Sequence, residues 1–149
     1  MSPQADAITW LDTAILVRID IQEDAWSLGN EIVVELMELP WRLVQVDRAG
    51  LRGVLELGDD AVARLGALTS AIEELVTVEV REDVAVALLE ASSAVERTAV
   101  AATIGTALAG AGARAIGMFA DGATFGVAIE RWRRDELSAA LRTATSLSR

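Results

Sequence analysis

The apolar residues of this sequence recur at a constant spacing of 72 residues. Ile32 and Ile104 form one such pair, and Leu75 and Leu147 form another near the end of the chain. The other matched pairs are Leu16 with Leu88, Leu28 with Val100, Leu36 with Leu108, Arg42 with Arg114, Val44 with Ile116, Leu57 with Ile129, and Leu65 with Leu137. Because all the pairs share one offset without a gap, the sequence indicates an internal duplication, and the chain is expected to fold as two copies of one unit.

Periodicity within each copy predicts the order strand, helix, strand, strand, helix. Alternating or continuous apolar runs predict strands at 6–12, 14–21, 42–46, 52–57 and 76–80, and again at 84–89, 115–120 and 124–129. Apolar residues at every third or fourth position predict helices at 28–39, 61–75 and 100–111, with a last helix beginning near Arg131. The predicted boundaries are Pro40, Gly110 and Gly112 as helix ends, Asp59 and Asp60 as a helix cap, and Asp121-Gly122 as a hairpin turn.

The second copy has no residues left after its last helix to supply a fourth strand. The strand predicted at 76–80 completes the first copy, and the offset maps it back onto residues 4–8, beside the short run at 6–12. We therefore expect the N-terminal strand to join the second copy. The predicted fold is α+β, with two ferredoxin-like βαββαβ units, each an antiparallel sheet with helices on one face. The expected boundaries are 14–82 for the first unit, and 6–13 with 83–149 for the second.

The residue inventory excludes most catalytic chemistry. The 149 residues contain no Cys and no His, and all 13 basic residues are Arg. Without Cys or His, the chain lacks a thiolate nucleophile, the most frequent general base and the most frequent metal ligand. Without Lys, it has neither a Schiff-base amine nor a phosphate-binding Walker lysine, and no Gly-rich phosphate loop is present either. We therefore expect a protein that is not an enzyme, with no catalytic residues, no metal and no cofactor.

Charge and hydropathy narrow the expected partners. The net charge of −10 argues against nucleic acid and against an anionic membrane surface. No apolar run approaches the roughly 20 residues of a membrane-spanning helix, and the N-terminus lacks the pattern of a secretory signal. The expected location is the cytoplasm.

The helix of the second copy suggests a family. The run from Thr98 to Ile104, followed by Leu108 to Gly112, is similar to a helix that reads Pro-Gly-Val-Ala-Ala-Arg-Ile-Phe and ends in Ala-Leu-Ala-Glu-Ala-Gly. That helix belongs to the paired ACT domains of aspartokinases, which the duplicated unit with its N-terminal strand also resembles. The resemblance spans essentially the whole chain, without a kinase domain. It implies a regulatory module that binds an amino-acid effector between ACT units.

The resemblance also implies a ligand-binding loop between the first strand and the first helix. The family's loop reads Asp-x-Pro-Gly, and Asp24 stands at the Asp position, with Trp26-Ser27 in place of Pro-Gly and Thr98-Ala99 in the second copy. A Trp side chain there is large enough to fill the effector cavity. The candidate ligand-binding residues are Asp24, Ala25, Trp26, Ser27, Leu28, Gly29 and Gln45.

Several of these features also have purely structural interpretations. The carboxylates of Asp20, Glu23 and Asp24 fit a ligand loop or a helix cap with solvated charge. Trp41 fits a core or interface position better than ligand stacking, and the cluster of Arg131, Arg133 and Arg134 fits a solvated loop. Two functions follow from these alternatives. The first is an amino-acid-binding regulatory module; the other is an interaction subunit that has lost its effector. In either case a homodimer or higher homo-oligomer is expected.

Overall fold

The structure, a computed structural model, describes residues 8–22, 30–56, 60–91 and 93–147. Within these ranges the chain forms eight strands, four α-helices and one 3₁₀ turn. The strands are β1 (Ile8–Leu11), β2 (Ala14–Ile21), β3 (Trp41–Asp47), β4 (Gly50–Glu56), β5 (Val76–Arg81), β6 (Val84–Glu90), β7 (Gly117–Asp121) and β8 (Thr124–Glu130). The helices are α1 (Asn30–Met37), α2 (Ala61–Ser70), α3 (Ala94–Ala111) and α4 (Arg134–Leu147), and the 3₁₀ turn is Arg131–Arg133.

The chain divides into two compact units. Residues 13–82 form the first unit, and residues up to 12 together with 83–149 form the second. Each unit contains a four-stranded antiparallel sheet, in the order β3-β4-β2-β5 in the first and β1-β6-β8-β7 in the second. The predicted α+β fold of two ferredoxin-like units is confirmed, and so is the place of the N-terminal strand in the second unit.

The strand β1 takes the place in the second sheet that β5 takes in the first. Arg81 of β5 lies opposite Leu16, and Thr9 of β1 lies opposite Leu88. Both members of these two pairs differ by the offset of 72 residues. The duplication therefore extends to the pairing register, even though one strand precedes its unit and the other follows it.

The third strand of the second unit departs from the predicted offset. Val44 lies opposite Gly53 in the first unit, whereas Phe125 lies opposite Ala120 in the second. The third strands therefore correspond at a spacing of 76 residues, and the predicted match of Val44 with Ile116 is wrong, as is that of Arg42 with Arg114. Four extra residues precede β7, and the hairpin contains four fewer. The offset of 72 returns in β8, since Gly126 lies opposite Leu88 as Val54 lies opposite Leu16.

Each unit has its own hydrophobic core between sheet and helices. In the first unit, alternate β2 residues such as Ile15, Val17 and Ile19 pack with Leu36 of α1 and Leu65 of α2. The core of the second unit is formed by β6, β8, α3 and α4, with these fully or almost fully buried side chains: Ala87, Leu89, Val100, Ile104, Val127, Ile129, Leu137 and Leu141. The matched leucines Leu65 and Leu137 are thus equivalent core residues.

Two predicted helix boundaries need correction. Asp60 stands at the N-cap of α2, but its side chain makes no capping hydrogen bond, and Asp59 lies outside the described residues. The helix α2 ends at Ser70, so Ile72 and Leu75 belong to the turns that follow it. Near this end, the Thr69 hydroxyl donates to the carbonyl of Leu65 at 2.8 Å. Such a bond satisfies a buried hydroxyl locally within the helix.

The helices before β3 and β7 end by different devices. Gly112 ends α3 with a φ of 62°, whereas Gly110 lies inside that helix. Glycine adopts this left-handed conformation without the steric cost of a Cβ. The helix α1 ends at Met37, before Pro40, and the indole Nε1 of Trp41 donates to the carbonyl of Leu36 at 2.7 Å. An orphan carbonyl at the helix end thereby gains a partner.

Trp41 packs against the core of the first unit, which confirms the interpretation of this residue as structural. Gly53 on the neighbouring strand provides room for the indole, since a Cβ at Gly53 would lie 2.7 Å from the Trp41 ring. The close approach of the ring requires the absence of a side chain at this position.

Candidate functional site

The predicted ligand-binding set falls mostly outside the described residues. Asp24, Ala25, Trp26, Ser27, Leu28 and Gly29 all lie there. Gln45 is described: it lies half-buried on β3, opposite Arg52 of β4, and its Oε1 accepts a hydrogen bond from Arg52 Nη2 at 3.4 Å. The assignment of these seven residues to an effector site stays a prediction.

The corresponding segment of the second unit is shorter than the resemblance implied. The helix α3 already begins at Ala94, three residues after β6 ends at Glu90. Thr98 is a helical residue, whose hydroxyl donates to the carbonyl of Ala94 at 3.1 Å, and Ala99 follows it inside the helix. The assignment of Thr98-Ala99 to a loop position is therefore wrong.

A capping residue missed by the sequence analysis sets this helix start. Ser93 is the N-cap of α3, and its hydroxyl accepts a hydrogen bond from the backbone N–H of Glu96 at 3.1 Å. The spacing Ser-x-x-Glu is the signal of a capping box, and the acidic Glu96 also suits the positive end of the helix dipole. Because this cap begins the helix at Ala94, no loop remains here for a ligand.

The arginine cluster after β8 is anchored and is not a solvated loop, which corrects the sequence interpretation. Nη1 of Arg133 donates to the carbonyls of Ala111 and Gly112, both at 3.1 Å, and lies 3.5 Å from a carboxylate oxygen of Glu136. The guanidinium therefore caps the C-terminal end of α3, where the helix dipole favours a cation. Arg133 also lies 4.6 Å from the ring centroid of Trp132, within the range of a cation–π contact.

Arg134 fastens the N-terminal strand to the second unit. Its Nε donates to a carboxylate oxygen of Asp12 at 2.7 Å, and its guanidinium carbon lies 5.0 Å from the ring centroid of Trp10. The side chain of Arg134 is 33% exposed, so water screens this ion pair only in part. These contacts join residues that are more than 120 positions apart in the chain.

Arg134→Ala is expected to loosen β1 selectively. Loss of the ion pair and the cation–π contact should cost about 1 kcal/mol. Hydrogen exchange of the β1 and β6 amides should accelerate about fivefold. Arg42→Ala is the matched control, because it removes an exposed ion pair with Glu56 in the first unit, at 3.0 Å. Equal exchange at β1 in both variants would contradict the role assigned to Arg134.

A groove in the first unit lies between α1 and α2. It has a volume of about 320 Å³ and is lined by Glu35, Glu38, Arg64, Ala67 and Leu68. Both charge signs meet over an apolar floor, so the groove offers a carboxylate to an ammonium group and a guanidinium to a carboxylate. The arrangement matches the charges of a free amino acid.

A second groove follows the end of α2. It has a volume of about 290 Å³, is lined by residues 70–75, and combines the carboxylates of Glu73 and Glu74 with the apolar Ile72 and Leu75. Within the described ranges, no three acidic residues gather as a metal site would require. Among the helices that the structure describes, none is long and apolar enough to span a membrane.

Comparison with known proteins places the fold. No protein-family model and no curated protein matches the chain. Among solved structures, the regulatory subunit of aspartate kinase from Thermus flavus is 18% identical over 97% of this chain and 99% of that one, with a TM-score of 0.70. A C-terminal regulatory domain of aspartate kinase from Porphyromonas gingivalis W83 is 15% identical over 93% of this chain and 96% of that one, with a TM-score of 0.66.

The same fold occurs within a full enzyme. E. coli aspartokinase III, in a complex with lysine and aspartate, is 14% identical over 97% of this chain but only 33% of its own, with a TM-score of 0.60. At this level of identity the likeness concerns the fold. The predicted resemblance to the paired ACT region of aspartokinases is confirmed at that level.

Proposed function

We propose that this chain is a regulatory module that binds an amino acid as its effector and catalyses no reaction. The observation that carries the proposal is the fold, which resembles aspartate kinase regulatory domains across nearly the whole chain. One structure of this fold, E. coli aspartokinase III, contains lysine and aspartate. Fold and function are only loosely linked, so the proposal also needs chemistry from this chain's own residues.

That chemistry is available at two places in the first unit. The first is the predicted loop with Asp24, whose carboxylate suits an ammonium group. The second is the groove with Glu35, Glu38 and Arg64, which offers both charges of an amino acid. A non-catalytic role is further supported by the absence of Cys, His and Lys from the sequence. We place the module in the cytoplasm, as a homo-oligomer.

An interaction subunit without effector binding is the second candidate. Trp26-Ser27 replaces the family's Pro-Gly, so a large side chain stands where the backbone of a ligand-binding loop would approach the effector. The capped start of α3 at Ser93 leaves no corresponding loop in the second unit.

A thermal-shift screen against the twenty amino acids separates the two candidates. At about 100 times Kd, a ligand that binds only the folded state stabilises it by about 2.7 kcal/mol. For a chain of this size the midpoint should rise by about 5–10 °C. Silence across the whole panel would reject effector binding and favour the interaction subunit.

Three variants identify the site if a shift appears. Asp24→Ala should abolish the shift if the loop binds, and Arg64→Ala should abolish it if the groove binds. Asp60→Ala is the matched control, because this acidic residue also precedes a helix but its side chain makes no capping bond. Trp26→Gly should strengthen the shift if the indole fills the effector cavity, and an unchanged shift would reject that idea.

A further inference from the structure

Trp132 is an exposed aromatic side chain held in a fixed setting. It lies in the 3₁₀ turn between β8 and α4 and is 68% exposed, the largest exposure of any described Trp. Arg133 packs 4.6 Å from its ring centroid and is itself tied to the carbonyls of Ala111 and Gly112. Because these bonds fix its neighbour, the indole loses little conformational freedom when a partner covers it.

Arg131 makes this exposed aromatic surface cationic. It precedes Trp132 in the same turn and is also exposed. Trp and Arg are the residue types most enriched at the energetic centres of protein interfaces. In a chain with a net charge of −10, a basic aromatic anchor contrasts with most of the remaining surface. We refer to Arg131 and Trp132 as the Trp132 anchor.

The chain also contains a surface of the opposite character, the groove of residues 70–75 in the first unit. Glu73 and Glu74 give it negative charge, and Ile72 and Leu75 give it apolar lining. It lies at the C-terminal end of α2, whose last turn has no basic residue. The negative end of the helix dipole adds to the two carboxylates.

The helix α3 shows what such a helix end binds in this protein. Its C-terminal carbonyls receive the guanidinium of Arg133, and α2 has no such cation in its own last turn. A guanidinium carried next to an exposed indole would meet the carboxylates of Glu73 and Glu74 while the ring covers Ile72 and Leu75. The charges and the apolar surfaces of the anchor and the groove are therefore complementary.

We propose that the Trp132 anchor of one copy of this chain docks into the groove of residues 70–75 of a second copy. The proposal specifies the interface of the homo-oligomer proposed above and is independent of any effector. A single indole buries about 150–250 Å², well below the roughly 800 Å² that a standard interface buries on each partner. The anchor is therefore the centre of a larger contact, and the attraction weakens as salt rises.

Sedimentation velocity on the full chain, from about 1 μM to about 1 mM, tests this proposal. The wild-type protein should self-associate, and Trp132→Ala should weaken the association at least about 30-fold. Glu73→Arg with Glu74→Arg should weaken it similarly. Raising the salt concentration should weaken the wild type and should have little effect on Trp132→Ala. Circular dichroism melts establish that each variant is folded.

Mixing the two deficient variants gives the sharpest test. The groove is intact in Trp132→Ala and the anchor is intact in the double Glu variant, so their mixture should associate although neither does so alone. Met118→Ala is the matched control, since this residue is 45% exposed on the edge strand β7. A monomeric wild type, an unaffected Trp132→Ala variant, or a mixture that stays monomeric would each overturn the proposal. So would loss of association in Met118→Ala alone, which would assign the interface to the sheet edge.

Discussion

Gly50→Ala is expected to disrupt the first unit. Gly50 is buried and has a φ of 147°, a conformation that is almost restricted to glycine. A Cβ would overlap the carbonyl oxygen of Ile19 and lie 2.9 Å from its carbonyl carbon, so backbone atoms of β2 would have to move. Strain and overlap together should cost at least about 3 kcal/mol, a large share of the 5–15 kcal/mol of a typical domain. Urea unfolding followed by circular dichroism measures this loss.

Gly122→Ala is the control for that experiment. Gly122 also has a positive φ, 59°, but no atom lies within 4 Å of the position a Cβ would take. Only the backbone cost of a left-handed alanine remains, about 1–2 kcal/mol. Equal destabilisation by the two substitutions would show that the contact with Ile19 is not limiting.

Leu137→Ala and Leu65→Ala are expected to weaken different halves of the chain. These equivalent residues lie in two separate cores and are 0% and 3% exposed. Truncation of a buried leucine costs about 2–5 kcal/mol because it removes apolar contacts and leaves a cavity. Leu137→Ala should accelerate amide exchange mainly in β6, β8 and α3, and Leu65→Ala mainly in β2 and β4.

Hydrogen exchange with peptide-level resolution makes this comparison within one chain. Each variant serves as the other's control, since the substitution and the place in the repeat are the same. If either substitution accelerated exchange equally in both halves, the two cores would unfold as one cooperative unit. That result would contradict separate stabilisation of the two cores.

The duplication made most of the fold predictable. Strand β2 was predicted with its observed bounds, and the offset alone indicated the membership of β1 in the second unit. The slip of β7 was not predictable from apolar spacing, because hairpin register depends on the number of residues in the turn and its arms. Residues such as Ala115 and Ile116 fit a strand equally well but precede it.

The candidate site was less predictable than the fold. Small residues such as Thr98 and Ala99 fit a loop in the family pattern, but the cap at Ser93 makes them helical. The contacts of Arg133 and Arg134 reach across 21 and 122 positions, and local sequence carries no signal for such pairs. A census of arginines near helix ends would have been the only hint of the cap that Arg133 forms.

The placement of β1 has a consequence for biosynthesis. Ile8 lies opposite Leu89, so the first strand to leave the ribosome pairs with residues that are made 81 positions later. The first unit can complete its sheet once β5 has emerged, while β1 still waits without a partner. An unpaired strand is a site of aggregation, and residues 12–13 alone separate it from β2. We therefore expect slow translation between β5 and β6 to lower the yield of folded protein more than slow translation after β8.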